Sequence, residues 1–379
     1  MTDPVLIRLS ATSIARFKAC PERFYFADVL GLRIAEDPEA RRMGTNWHGV
    51  LETYRTVLDG HSDDEAFEAA VDHLNEAYAG VPLSKTDFEW AIEREILLAL
   101  FIGYCWRWQD DEIQTVGTEI GFKLPLHHPK TGLPLSKKEV IRLGKIDRVV
   151  VQNGMLLCNE YKTAKSDISP TSDYWRRLKL NTQVSMYDLA LHDMIEGGEL
   201  QLGDLPVGGC LYDVVRKPSI SPKMLTQADT KEFLATGIYH GEAIEITPEA
   251  DGQPPRFDGW ETEFKPGAKD GTCSMRETPT MFRARLIADI MERPDYYYAR
   301  REVVRTAKER QAFRSQLYSI YRSMRYQIES GHFYKNEDQC DQYGGCDYQN
   351  PCWDEIDVTT VTPAGMKRIF TPLTVQETD

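Results

Sequence analysis

Val140-Ile-Arg-Leu-Gly-Lys-Ile-Asp147-Arg-Val-Val-Val-Gln-Asn153-Gly154-Met-Leu-Leu-Cys158-Asn-Glu160-Tyr-Lys162-Thr-Ala-Lys165 is the stretch that decides the fold. Two runs rich in β-branched and apolar residues flank Asn153-Gly154. That dipeptide between strands is a strong hairpin signal, because both turn residues must take positive φ. With a two-residue turn, Gln152 faces Met155, and counting outward sets Asp147 opposite Glu160. Facing side chains of an antiparallel pair have Cβ atoms about 4.5–5.5 Å apart. Lys162 shares the face of Glu160, because side chains alternate with period two. Two carboxylates so opposed repel, and a hard divalent cation with oxygen ligands would balance them. The plain alternative is a surface ion pair between Lys162 and one acid. Val149, Val151, Leu156 and Cys158 fall on the same face, which makes it a buried face that turns polar at one end and favours a site.

At 379 residues and net charge −14, the chain can bury a large core, as one elaborated domain or two. It has no overall attraction to polyanions, so any nucleic-acid contact must be a local basic groove. Residues 300–325 offer one. Arg300, Arg301, Arg305, Lys308, Arg310, Arg314, Arg322 and Arg325 accompany Val303, Ala307, Phe313, Leu317, Ile320 and Met324 at three- and four-residue steps, so the segment reads as an amphipathic helix with an arginine face. A solvated helix face is the equal alternative. The longest apolar run, 96–103, is too short to span a bilayer, and the N-terminus lacks a signal-peptide pattern. A soluble, cytoplasmic protein is expected, with no membrane contact.

Eight cysteines in an intracellular chain do not suggest disulfides. Cys105, Cys158, Cys210 and Cys273 are isolated, as buried thiols are. Cys340, Cys346 and Cys352 are evenly spaced in a loop rich in Gly, Asn, Asp and Pro, where thiolates can converge. Cys20, before Pro21 at a helix break, is their natural fourth partner. Four thiolates mean zinc or an iron–sulfur cluster, and the lack of close CxxC pairs tilts the choice to [4Fe-4S].

Along the rest of the chain, residues 8–30 carry Ser/Thr helix-cap signals. Residues 62–112 read as helices, 115–124 and 207–217 as strands, and 175–196 as a helix with Gln183 and Tyr187 four residues apart on one face. Residues 247–280 read as a mobile, loop-like insertion, and the tail beyond Trp353 carries no motif. No internal repeat, phosphate-binding loop or Rossmann glycine pattern occurs.

Asp147, a hairpin, then Glu160-Tyr161-Lys162 resembles the signature of the PD-(D/E)XK nuclease superfamily, with Ile146 in place of the proline. Cys20-Pro21-x-Arg23-Phe24 and the C-terminal cysteines resemble the iron–sulfur branch of its RecB-like nucleases, found in AddB-type subunits and CRISPR-associated exonucleases. Gly44-Thr45-x-x-His48 resembles that family's metal-histidine motif, and Gln183-x-x-x-Tyr187 its motif near the DNA strand.

The resemblance implies a restriction-endonuclease-like α/β (α+β) core, a central mixed β-sheet flanked by helices. Residues 1–49 would carry the first cluster cysteine and metal histidine, 50–113 a helical insertion and 114–220 the nuclease core. A loop-rich insertion over 221–299 would follow, then the basic helix and cysteine triad over 300–379. Asp147, Glu160, His48 and the Tyr161 carbonyl would hold Mg²⁺ or Mn²⁺, and Lys162 would orient water or balance phosphate charge. Cys20, Cys340, Cys346 and Cys352 would hold a structural [4Fe-4S] cluster, a staple between distant parts of the chain. Gln183, Tyr187, Arg301 and Arg305 would contact DNA, with single strands degraded from an end, 5′ to 3′ favoured, beside a helicase or recombination protein. A non-catalytic DNA-binding or assembly subunit on the same scaffold is the rival reading, and a zinc-stapled RNA-processing enzyme a third.

Overall fold

In a computed structural model, residues 6–36, 38–202, 205–249, 254–269, 271–342 and 345–370 are described. The chain opens with β1 (Ile7–Leu9), α1 (Ala11–Ala19) and α2 (Pro21–Phe24). Ser10 and Ser13 form a reciprocal cap that starts α1, and Cys20 closes α1 and opens α2 because Pro21 sits where a missing N–H costs nothing. Next come β2 (Leu32–Ile34), α3 (Glu39–Leu58), α4 (Asp63–Ala77) and α5 (Asp87–Arg107). The sheet strands β3 (Gln114–Pro125), β4 (Val140–Gln152) and β5 (Met155–Ala164) follow. Beyond them lie α6 (Asp173–Arg177), α7 (Thr182–Glu196) and β6 (Val207–Arg216). The helix read over 175–196 is therefore broken. Asn181 interrupts it and caps α7 by accepting from the Val184 N–H.

Asn153 and Gly154 take φ of 50° and 72°, the mirror-image turn read from their identity. The ladder runs from Gln152↔Met155 to Arg148↔Asn159 as counted. Among the described residues the main sheet has six strands and is mixed. β4 is antiparallel to β3 and β5, β5 is parallel to β6, and β1 is parallel to the first residues of β4. Along β5 and β6, Cys158, Cys210, Tyr212 and Val214 face one core with α7, while Tyr161 and Val215 face another with α3 and α5. Helices thus cover both faces of a mixed sheet, the layering expected of the sequence. Cys158 and Cys210 are buried thiols, as read; Cys105 and Cys273 are part-exposed.

α8 (Gln227–Thr236) precedes three small antiparallel pairs: β7 (Ile238–Tyr239) with β8 (Glu242–Ala243), β9 (Ile246–Thr247) with β10 (Arg256–Phe257), and β11 (Phe264–Pro266) with β12 (Cys273–Met275). Read as a mobile loop, this segment instead has its own core, in which Phe257, Phe233, Met275 and Met281 are fully or almost fully buried. Part of the reading, residues 250–253 and 270, lies outside the described residues.

α9 (Pro279–Glu292), α10 (Pro294–Tyr297), β13 (Tyr298–Val303) and α11 (Ala307–Ser330) come next. The basic helix expected from residue 300 is corrected here: Arg300 and Arg301 lie on β13, which pairs with β6, and α11 starts only after a Thr306 cap. Much of its arginine face is tied to acids of the fold, while Lys308 and Arg322 are exposed. Arg310 pairs with Asp188, Arg314 with Asp193, Arg325 with Glu139, and Arg300 of the strand with Asp111 and Asp213. Last, α12 (Gln349–Trp353) and β14 (Met366–Arg368) return to the start of the chain, β14 pairing with β2. Phe26, Leu30 and Leu32 pack there with Tyr348 and Val358. α3 runs through residues 49 and 50, and α4 and α5 share a core with the central sheet, so the helical segment packs as a layer on it. No helix among the described residues is long and apolar enough to cross a membrane.

Asp193 accepts from both Arg314 and Arg142, and Arg142 is almost fully buried. Asp193→Ala strands a buried guanidinium and is expected to cost about 3–5 kcal/mol in urea unfolding, against under about 1 kcal/mol for the exposed pair partner Asp173→Ala.

Candidate active site

β1 and β5 lie on the same edge of β4, β1 beside Val140–Arg142 and β5 beside Arg148–Gln152, with β3 along the other edge. Asp147 stands in the gap, where the β4–β5 ladder has just ended. Alternation also slips there: Ile146 and Val149, three apart, join the same core cluster. Glu119, opposite Asp147 in the β3 register, takes φ of 52°, a left-handed conformation rare for a non-glycine residue. Both strands thus depart from regular strand geometry at the register position of the carboxylate.

Asp147 Oδ2 accepts from the Tyr161 backbone N–H at 3.0 Å, replacing a ladder bond, and lies 3.3 Å from His48 Nδ1 on α3. Burial raises the Asp147 carboxyl, but His48, the Tyr161 amide and Lys162 together outweigh it and hold the group below its ordinary value. Glu160 is 2 % exposed. Its Oε1 takes Lys162 Nζ and, at 2.6 Å, Gln183 Nε2, while its buried Oε2 has no hydrogen-bond partner. Burial pushes the Glu160 carboxyl up to about 7, against Lys162 and with help from the Asp147 charge. The structure thus gathers His48, Asp147, Glu160, Tyr161 and Lys162 around one end of the hairpin. Glu119 lines a small cavity with His48, Asp147 and Tyr161 and pairs with Lys145.

The expected DNA-contact residues divide. Gln183 points at Glu160, and Arg301 is exposed, bonded to the Pro170 carbonyl and set over the Trp175 ring. Tyr187 is buried, and Arg305 is buried with its guanidinium on Leu178 O and Ser185 Oγ. Both side chains are largely buried and bonded within the fold, unlike that of Arg301. Glu52 and Arg55, one and two turns beyond His48 on α3, line the same cavity and were missed. Their only sequence signal is helical spacing from His48.

Elsewhere, Cys20, Cys340, Cys346 and Cys352 together line a cavity of about 110 Å³ with Arg23, Phe26 and Lys335. The Cys346 amide donates to the Cys340 carbonyl at 2.8 Å, folding the loop back on itself. Burial raises the Cys346 and Cys352 thiols. Among the described residues no three His, Cys, Asp or Glu side chains converge closely enough to hold a single metal ion. The four thiols line one space without meeting at a point. At the hairpin the two carboxylates and the imidazole likewise do not converge on one point, but their chemistry, with one carboxylate oxygen buried without a partner, is that of a ligand set for a hard divalent cation.

A model of the PD-(D/E)XK nuclease superfamily matches residues 8–353. The chain belongs to this superfamily. No curated protein matches it. Membership in the PD-(D/E)XK superfamily carries the restriction-endonuclease-like fold and implies a metal-dependent nuclease, with DNA as the suggested substrate.

The raised Glu160 carboxyl fixes the sign of a pH effect in chelator-treated protein. Its folded value of about 7 exceeds the unfolded one, so ionisation opposes folding increasingly as pH rises from about 4.5 to beyond 7. Glu160→Gln is expected to match the parent near pH 4.5 and to exceed it by ~3 kcal/mol at pH 8 in denaturant unfolding.

Proposed function

We propose that the chain is a Mg²⁺- or Mn²⁺-dependent DNA exonuclease of the RecB-like branch, acting on single strands from an end, with 5′ to 3′ polarity favoured by the resemblance. The observation that carries it is the buried, half-satisfied Glu160 beside Asp147, His48 and Lys162 at the parting of two strands. Asp147, Glu160, His48 and the Tyr161 carbonyl are the residues that would hold the cation. Bound there, a divalent ion acidifies water and offsets charge on the scissile phosphate. Asp147, held ionised by its neighbours, supplies a permanent negative ligand. Lys162, on Glu160 and part-exposed, is placed to exchange that contact for a phosphate oxygen or an attacking water. Arg301 offers an exposed cation for the strand.

Cys20, Cys340, Cys346 and Cys352 are proposed to hold a [4Fe-4S] cluster as a staple. Supporting this are the shared cavity and the β2–β14 pairing, which already brings the two distant segments together. By loop-closure entropy, a cross-link over so long a loop constrains the unfolded chain by about 5–6 kcal/mol. Work beside a helicase or recombination protein in the cytoplasm completes the reading, with residues 114–220 as the nuclease core and the segments around it as additions.

On end-labelled single-stranded DNA with Mg²⁺ or Mn²⁺, Asp147→Ala, Glu160→Ala and Lys162→Ala are each expected to lower cleavage at least ~100-fold. Retained cleavage in any of the three contradicts the site. Anaerobically purified protein is expected to be brown with about four irons per chain. Cys346→Ser is expected to lose the iron and several degrees of melting temperature; a colourless or zinc-bearing parent protein contradicts the staple.

A further inference from the structure

Gln183 sits in the first turn of α7, fixed by the Asn181 cap below it. Its Nε2 donates to Glu160 Oε1 at 2.6 Å and to Tyr187 Oη at 3.2 Å. Two acceptors on one amide nitrogen decide the amide's orientation, since the flipped form would set its carbonyl against the carboxylate. Tyr187 is itself clamped. It is buried, and its ring meets Phe122 edge-on, centroids 6.0 Å apart. Gly144 makes room for this pair. A Cβ at that position would lie 2.7 Å from the Phe122 ring and 3.2 Å from the Tyr187 ring.

Lys162 uses the same oxygen of Glu160 as Gln183 does, so both donors converge on Oε1 and none reaches Oε2. A carboxylate pinned through one oxygen offers the other in a single orientation. We propose that Gln183, braced by Tyr187, is a positioning residue that holds Glu160 by Oε1 and reserves Oε2 for a divalent cation. The pair then serves the metal site and not the DNA strand. Gln183 also keeps Glu160 in place when Lys162 leaves it for substrate, because one donor remains. The inference rests on the metal-nuclease reading of the site.

Its test is Mn²⁺ binding to DNA-free full-length protein, followed by electron paramagnetic resonance, alongside steady-state cleavage of single-stranded DNA. Gln183→Ala is expected to raise the Mn²⁺ Kd about ten-fold or more, as loss of a group supporting a metal ligand does. Tyr187→Phe, which removes only the bracing oxygen, is expected to raise it severalfold. In both, kcat falls at saturating DNA while KM for DNA is unchanged. Gln183→Asn keeps the amide without its reach and gives the Gln183→Ala signature in a variant with a polar helix start. Unchanged Mn²⁺ binding with a raised KM overturns the proposal and makes Gln183 a strand contact. Failure of the underlying reading is distinct: Glu160→Ala would then bind Mn²⁺ as tightly as the parent protein.

Discussion

Burying a carboxylate that is not fully satisfied costs free energy, and this chain does it at Glu160, inside the sheet, with one oxygen left bare. Much of the surrounding architecture follows from holding that group. β5 carries it between β4 and β6, parallel β6 closes one side, and α7 is capped and clamped so that Gln183 arrives at the carboxylate. On the other side α3 brings His48 to Asp147. The stability given up at this point is of the kind that functional sites give up, because a fully satisfied carboxylate has no free oxygen to offer a cation.

The same sheet is held by a second layer of charge pairs. Arg142, Arg300, Arg310 and Arg314 reach acids on β6, α7 and the segment after α5. These pairs bind α11 and β13 to the central sheet and α7, so the cationic stretch that looks like a polyanion groove serves cohesion first. In a chain of net charge −14 this also limits where DNA can lie. Near the hairpin, Lys162 is part-exposed and Arg301 exposed.

Much of the fold was legible wherever a local rule had only one solution. Asn153-Gly154 admits one turn, and the turn sets one register, which runs as counted up to Arg148↔Asn159 and leaves Asp147 just beyond it, bonded to the Tyr161 amide next to Glu160. Cys20 with the three C-terminal cysteines was legible from type and spacing, and they share a cavity. What stayed hidden depends on partners far along the chain. Helical spacing over 300–306 is the same whether Arg300 faces water or Asp213, and only the β6 pairing makes that stretch a strand. The left-handed Glu119 opposite Asp147 has no signature in the sequence, because nothing in a Thr-Glu-Ile run calls for positive φ. Likewise Tyr187 reads as a helix-face residue, and its burial comes from Phe122 and the absent side chain of Gly144.

The account stands on one claim, that Asp147, Glu160 and His48 share a divalent cation. Anomalous diffraction from a crystal soaked in Mn²⁺ tests it directly. The predicted result is a manganese peak within coordination distance of Glu160 Oε2 and the Asp147 carboxylate, with His48 turned toward it. A peak elsewhere, or none at manganese concentrations that support cleavage, contradicts it.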